Sequence, residues 1–163
     1  MTQTRTQAQG FTLIELVMVM VILAVIAAVA ASRWNATDAT APYQADLLAR
    51  NIRHMQILAM SWGQSLRLSV ASPTYSVSCT SGSAVAPCNG ASAVIDPATG
   101  KAFSETLSNG VTLAGAATDI DSLGRPVSGG LLTVNRVYTL TAGPQTWSVT
   151  VAPITGFTTV SSP

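Results

Sequence analysis

The stretch "RTQAQGFTLIELVMVMVILAVIAAVAASRW", Arg5–Trp34, holds one carboxylate, Glu15, near the start of a run of oily residues. From Phe11 to Ala31 there are 21 residues, of which only Thr12 and Glu15 are polar. Wound as a helix at about 1.5 Å per residue, they match the roughly 30 Å hydrocarbon core of a bilayer. Arg5 and the amino terminus precede the run and Arg33 follows it, a charge bias that weakly favours a cytoplasmic start. The same residues also fit a secretory signal peptide, with Arg5 as n-region, Leu16–Ile26 as h-region and Ala28-Val29-Ala30 as the cleavage site.

Glu15 separates the two readings. A carboxylate at membrane depth costs on the order of 2 to 3 kcal/mol, and such residues are usually functional and paired. A discarded signal peptide gains nothing from it. Cleavage between Gly10 and Phe11 would create a new α-amino group, largely cationic at neutral pH because its ordinary pKa is about 7.7 to 8. That amine is a natural partner for Glu15, across one helical turn or between neighbouring helices. Buried ion pairs add little net stability but can fix register, so Glu15 is assigned to alignment.

"GFTLIE", Gly10–Glu15, followed by an apolar helix resembles the class III signal of type IV pilins and type II secretion pseudopilins. The resemblance implies that a prepilin peptidase cleaves after Gly10 and N-methylates Phe11, with Glu15 as the register carboxylate. A glycine fits such a cut, since a residue without a side chain admits close approach to the backbone. The implied organisation is a leader at 1–10, a transmembrane and assembly helix at 11–31, its amphipathic continuation at 32–66 and a β-rich periplasmic head at 67–163.

After Trp34, "NATDATAP" interrupts the apolar run, and Pro42 predicts a break or a bend, with Asp38 or Thr40 as caps. Beyond it Leu48, Ile52, Met55, Ala59, Trp62 and Leu66 recur at spacings of three and four, an apolar stripe that should pack on a sheet. Asp46, Arg50, Arg53 and His54 lie opposite, with Asp46 and Arg50 as an i,i+4 pair, on a face read as solvated or as a docking face.

From Arg67 on, "LRLSV", "YSVSC", "VTLAG", "LLTVNRVYTLT" and "TWSVTVAP" read as strands, with turns at Asn89-Gly90, Asn109-Gly110 and Gly143-Pro144. The last two should form an antiparallel hairpin around Ala142–Gln145. A long helix followed only by strands predicts an α+β fold, the helix covering antiparallel sheet. Cys79 and Cys88 are read as a disulfide worth roughly 2 to 3 kcal/mol and implying an oxidising compartment, the alternative being two buried thiols.

Composition narrows the function. Charged residues make up 9% against 48% apolar and the net charge is +1, so nothing steers the chain toward nucleic acid or anionic lipid. One histidine, with no G-x-S-x-G, H-E-x-x-H or phosphate loop, argues against an enzyme, and no cofactor is expected. Asp119, Asp121 and Ser122 could offer oxygens to calcium but read equally as a turn. Asn35-Ala36-Thr37 matches a glycosylation sequon, a pattern common by chance.

"DIDSLGRP", Asp119–Pro126, and "WSVTVAPITGFTTV" are similar to pseudopilin H and FimT-like minor pilins, and Tyr43–Met60 is similar to minor pilins of mannose-sensitive haemagglutinin pili. The implied function is a minor pilin or pseudopilin, set at or near the tip of a type IV pilus or type II secretion pseudopilus. Its implied partners are the prepilin peptidase, other pilin subunits and an inner-membrane platform with a cytoplasmic ATPase. Some FimT-like proteins bind DNA through Gly-Arg-x-Arg after the last strand; here Gly156-Phe157-Thr158-Thr159 lacks the arginines, so nucleic acid is not an expected partner. The rivals are a secreted periplasmic binding domain starting near Ala31 and an anchored domain that keeps Met1.

Overall fold

The computed structural model describes residues 12–31, 36–80 and 85–162. The chain divides into two compact units, 1–35 and 36–163. In the first, helix α1 runs Leu13–Ala31. Its 19 residues give about 28 Å at 1.5 Å each. Among the described residues no helix is long and apolar enough to cross a membrane; the span read from sequence starts at Phe11, outside the described residues.

The second unit opens with helix α2, Ala36–Trp62, which runs without interruption through Pro42. Pro42 removes a single backbone bond, the one its nitrogen would have donated to residue 38, and the rest of the helix keeps its ladder. Asp38 and Thr40 therefore lie inside the helix instead of capping a new one. The helix stops four residues before 66. Gly63 takes φ +65°, its N–H donates to Met60 O (3.4 Å), and Gln64 N–H donates to Ala59 O (3.1 Å), a glycine-terminated cap that only a residue without a Cβ accepts cheaply. Leu66 thus begins a strand.

Among the described residues nine strands follow: β1 (Leu66–Ala71), β2 (Thr74–Cys79), β3 (Ser104–Thr106), β4 (Thr112–Ala114), β5 (Thr118–Ile120), β6 (Pro126–Val127), β7 (Arg136–Ala142), β8 (Gln145–Val151) and β9 (Thr158–Ser161). They form two antiparallel sheets, ordered β3-β2-β1-β5-β6 and β4-β7-β8-β9. The hairpin forms as expected, Ala142 pairing with Gln145 around Gly143 at φ +57°. The sheets meet where Leu113 N–H of β4 donates to Ser72 Oγ, just past β1 (3.1 Å). Leu131–Asn135, read from sequence as the start of a long strand, stay outside β7, and Leu131 makes only an isolated bridge to Val127.

Helix α2 packs on both sheets. Leu48, Ile52, Met55 and Ala59 are buried as the stripe predicts, joined by Ala41, Ala45, Ala49 and Leu58. The alanines on this face let the helix backbone come close to the sheets. Opposite them lie Leu66, Leu68, Tyr75, Val77, Ile120, Tyr138, Leu140, Val149 and Val151, all buried. A long helix on antiparallel sheet is the α+β arrangement read from sequence.

Candidate assembly surfaces

Glu15 occupies the first turn of α1. Thr12 stands just before the helix, and its Oγ1 and carbonyl both accept from Glu15 N–H (3.4 and 3.1 Å). Thr12-Leu13-Ile14-Glu15 is thus a T-x-x-E helix start, a signal legible in sequence that the reading of Glu15 as a register group passed over. A carboxylate here also faces the positive end of the helix dipole, worth about 0.3–1 kcal/mol. The described side chains of α1 are exposed on every side from Leu13 to Val29. No polar face exists that could turn toward water. Gly10 and Phe11 lie outside the described residues, as does Asn35 of the sequon.

Cys79 and Cys88 are joined in a disulfide with a Cα–Cα distance of 5.6 Å, both residues buried. The bridge ties the end of β2 to the loop that leads toward β3.

The polar face of α2 is only partly solvated. Arg50 does not meet the Asp46 carboxylate; its Nε donates to Asp46 O (3.3 Å) and its guanidinium lies 6.0 Å from the Tyr43 ring centroid. Arg53 Nη2 donates to Thr158 O of β9 (2.8 Å). His54 Nε2 lies 3.1 Å from Asp96 Oδ1, and its ring packs 5.5 Å from that of Phe103. Asp96 also accepts from Ala98 N–H (2.9 Å) and Thr99 Oγ1 (3.1 Å), and these bonds, Ala98's first, hold its carboxyl below the usual range. Gln56 Nε2 reaches two loops at once, donating to Gly124 O (3.0 Å) and Gly156 O (3.1 Å). No periodicity flags Gln56, because its partners lie 68 and 100 residues away.

"DIDSLGRP" is the β5–β6 hairpin. Asp121 Oδ1 accepts from Leu123 N–H and Arg125 N–H (2.9 Å each), and Arg125 Nε donates to Asp121 Oδ2 (2.8 Å). Asp119 takes both Nε and Nη2 of Arg67 on the adjacent strand (2.6 and 2.8 Å). Each carboxylate considered for calcium is therefore engaged by an arginine, and the motif builds a turn. Among the described residues no three His, Cys, Asp or Glu side chains are grouped to hold a metal.

Two cavities flank β3. One, of about 330 Å³, lies against Tyr43, Gln44 and Leu47 of α2; the other, of about 400 Å³, against Asn51, Asp96 and Lys101. Glu105 borders both.

The family model for the prokaryotic N-terminal methylation motif matches residues 5–31. The fold is similar to the structure of the minor pseudopilin EpsH from the type 2 secretion system of Vibrio cholerae, with a TM-score of 0.56 and 13% identity, over 76% of this chain and 97% of that one. No curated protein matches the chain.

Proposed function

We propose that this chain, a type IV pilin/pseudopilin family protein by its methylation motif and its pilin-like fold together, works as a minor subunit of a type IV pilus or type II secretion pseudopilus. The observation that carries the reading is a methylation motif leading into a helix exposed on all sides. Eleven Val, Leu and Ile residues lie between Leu13 and Val29. At about 1.5–3 kcal/mol each, keeping them in water would cost tens of kcal/mol, so the helix passes from lipid into a bundle of similar helices.

In this reading residues 1–10 are a leader, prepilin peptidase cuts between Gly10 and Phe11, and Phe11 is N-methylated. Residues 11–31 make 21, about 31 Å of helix, long enough to anchor the subunit in the inner membrane with its start cytoplasmic and its head periplasmic. The Cys79–Cys88 bond suits an oxidising periplasm. Glu15 aligns subunits by pairing with the terminal amine of a neighbour, while a membrane platform with a cytoplasmic ATPase supplies the work of extraction.

Intact mass and amino-terminal sequencing of the protein from its native envelope test this. The expected chain starts at N-methylated Phe11; a start at Ala31 or a retained Met1 refutes it. Glu15→Ala should be processed normally and enter filaments poorly, and normal incorporation removes the register role.

A further inference from the structure

Among the described residues strand β3 lies at one edge of its sheet. Leu107 N–H donates to Pro73 O (2.9 Å) and Val77 N–H to Phe103 O (2.8 Å), so the backbone groups of Glu105 between them turn toward β2. By strand alternation the Ser104 carbonyl and both backbone groups of Thr106 face outward, while Ser104 N–H is taken by Ala102 O (2.8 Å). All three residues of β3 are exposed. An edge with these groups left open is a template for another strand.

Alongside this edge runs one face of α2, whose Gln44, Leu47 and Asn51 border the two cavities that share Glu105. Their spacing of three and four places them on one side of the helix. Helix and edge thus form the walls of a groove with Glu105 at its middle. Glu105 has no ion-pair partner among the described residues, whereas Asp96 is engaged by His54 and by its own turn. Gln44 is 4% exposed. Its Nε2 donates to Ser108 Oγ (2.8 Å) and Ser108 O (3.3 Å), and because only the nitrogen can serve that carbonyl the amide orientation is fixed. The buried Oε1 is left without a donor. The groove therefore sets a carboxylate without an ion-pair partner among the described residues beside a strand edge that keeps open main-chain groups.

We infer that this groove receives an extended segment of a neighbouring subunit carrying a lysine or arginine. The segment adds to β3 through main-chain hydrogen bonds and sets its cation on Glu105. The inference rests on the assembly reading above.

A photo-crosslinking residue placed at Thr106, and separately at Val21 of α1, in the full chain within its native envelope tests both. The expected result is a Thr106 adduct mapping to a Lys- or Arg-bearing segment of another subunit. Glu105→Lys should reduce it at least fivefold, and reversing the mapped basic residue to Glu should restore it; Glu105 is exposed, so the substitution leaves folding intact, as circular dichroism would verify. The groove inference is overturned if Val21 cross-links to other subunits while Thr106 does not, or if the Thr106 adduct ignores Glu105→Lys. If Val21 also gives none, the assembly reading falls and the groove inference with it.

Discussion

Gly156→Ala should destabilise the head far more than a methyl group on a loop suggests, and the excess should vanish when Gln56 is removed. Gly156 lies at φ +66°, where an alanine costs about 1–2 kcal/mol. A Cβ there would also run into the Gln56 amide and come 3.0 Å from Gly124 O. Gln56 would be pushed off both carbonyls it holds, losing two hydrogen bonds of about 0.5–1.5 kcal/mol each. The summed cost is about 2–5 kcal/mol. Gln56→Ala alone forfeits the same two bonds, about 1–3 kcal/mol. In that background Gly156→Ala meets no side chain and costs only the backbone part, about 1–2 kcal/mol. Urea unfolding of the detergent-solubilised full chain, followed by circular dichroism, gives the four corners of this cycle. A Gly156→Ala cost that agrees within about 0.5 kcal/mol in the two backgrounds refutes the clamp.

Replacing Cys79 and Cys88 by serine should lower stability by about 2–3 kcal/mol for a closed loop of about ten residues, read from the same urea midpoint. Two carboxyls set the acid limb. Desolvation pushes the Asp121 carboxyl up, but the Arg125 and Leu123 bonds outweigh it, so like Asp96 it is held below the usual range. Groups depressed in the folded state stabilise fully above the unfolded value of about 3.9 and lose that contribution as pH falls, so stability should drop below about pH 4, and Asp121→Asn should flatten the drop. Burial raises the Tyr75 and Tyr138 hydroxyls. Ultraviolet titration should therefore show Tyr75 and Tyr138 ionising above the ordinary value of about 10, with stability falling as pH rises past it.

The residues that match the methylation motif lie together in the chain, which is why they could be read in order. Gly10, Phe11 and Glu15 fall within six consecutive residues, and the apolar run after them needs no partner within the chain to be recognised. The stripe Leu48, Ile52, Met55 and Ala59 and the alternation of Val149 and Val151 are periodic, and periodicity reports a buried face before the partner is known. Strands β3, β5 and β6 were not legible as strands, because two or three residues cannot display a period and their pairing is fixed by neighbours elsewhere in the chain. The end of α2 was misplaced for a related reason. Leu66 continues the helical spacing, yet the cap at Gly63 decides against it.

The sequence by itself determined the methylation signal, the apolar helix, the α+β class and the cysteine pair, since each depends on short-range spacing or composition. The tertiary structure alone decided that Gln56 clamps two loops, that "DIDSLGRP" closes a hairpin with its carboxylates on arginines, and that Glu105 stands beside an open edge with no ion-pair partner among the described residues. The longest-range of these contacts join residues tens of positions apart: the packing of α2 carries Gln56 to two distant loops, and the pairing of β1 with β5 sets Arg67 beside Asp119.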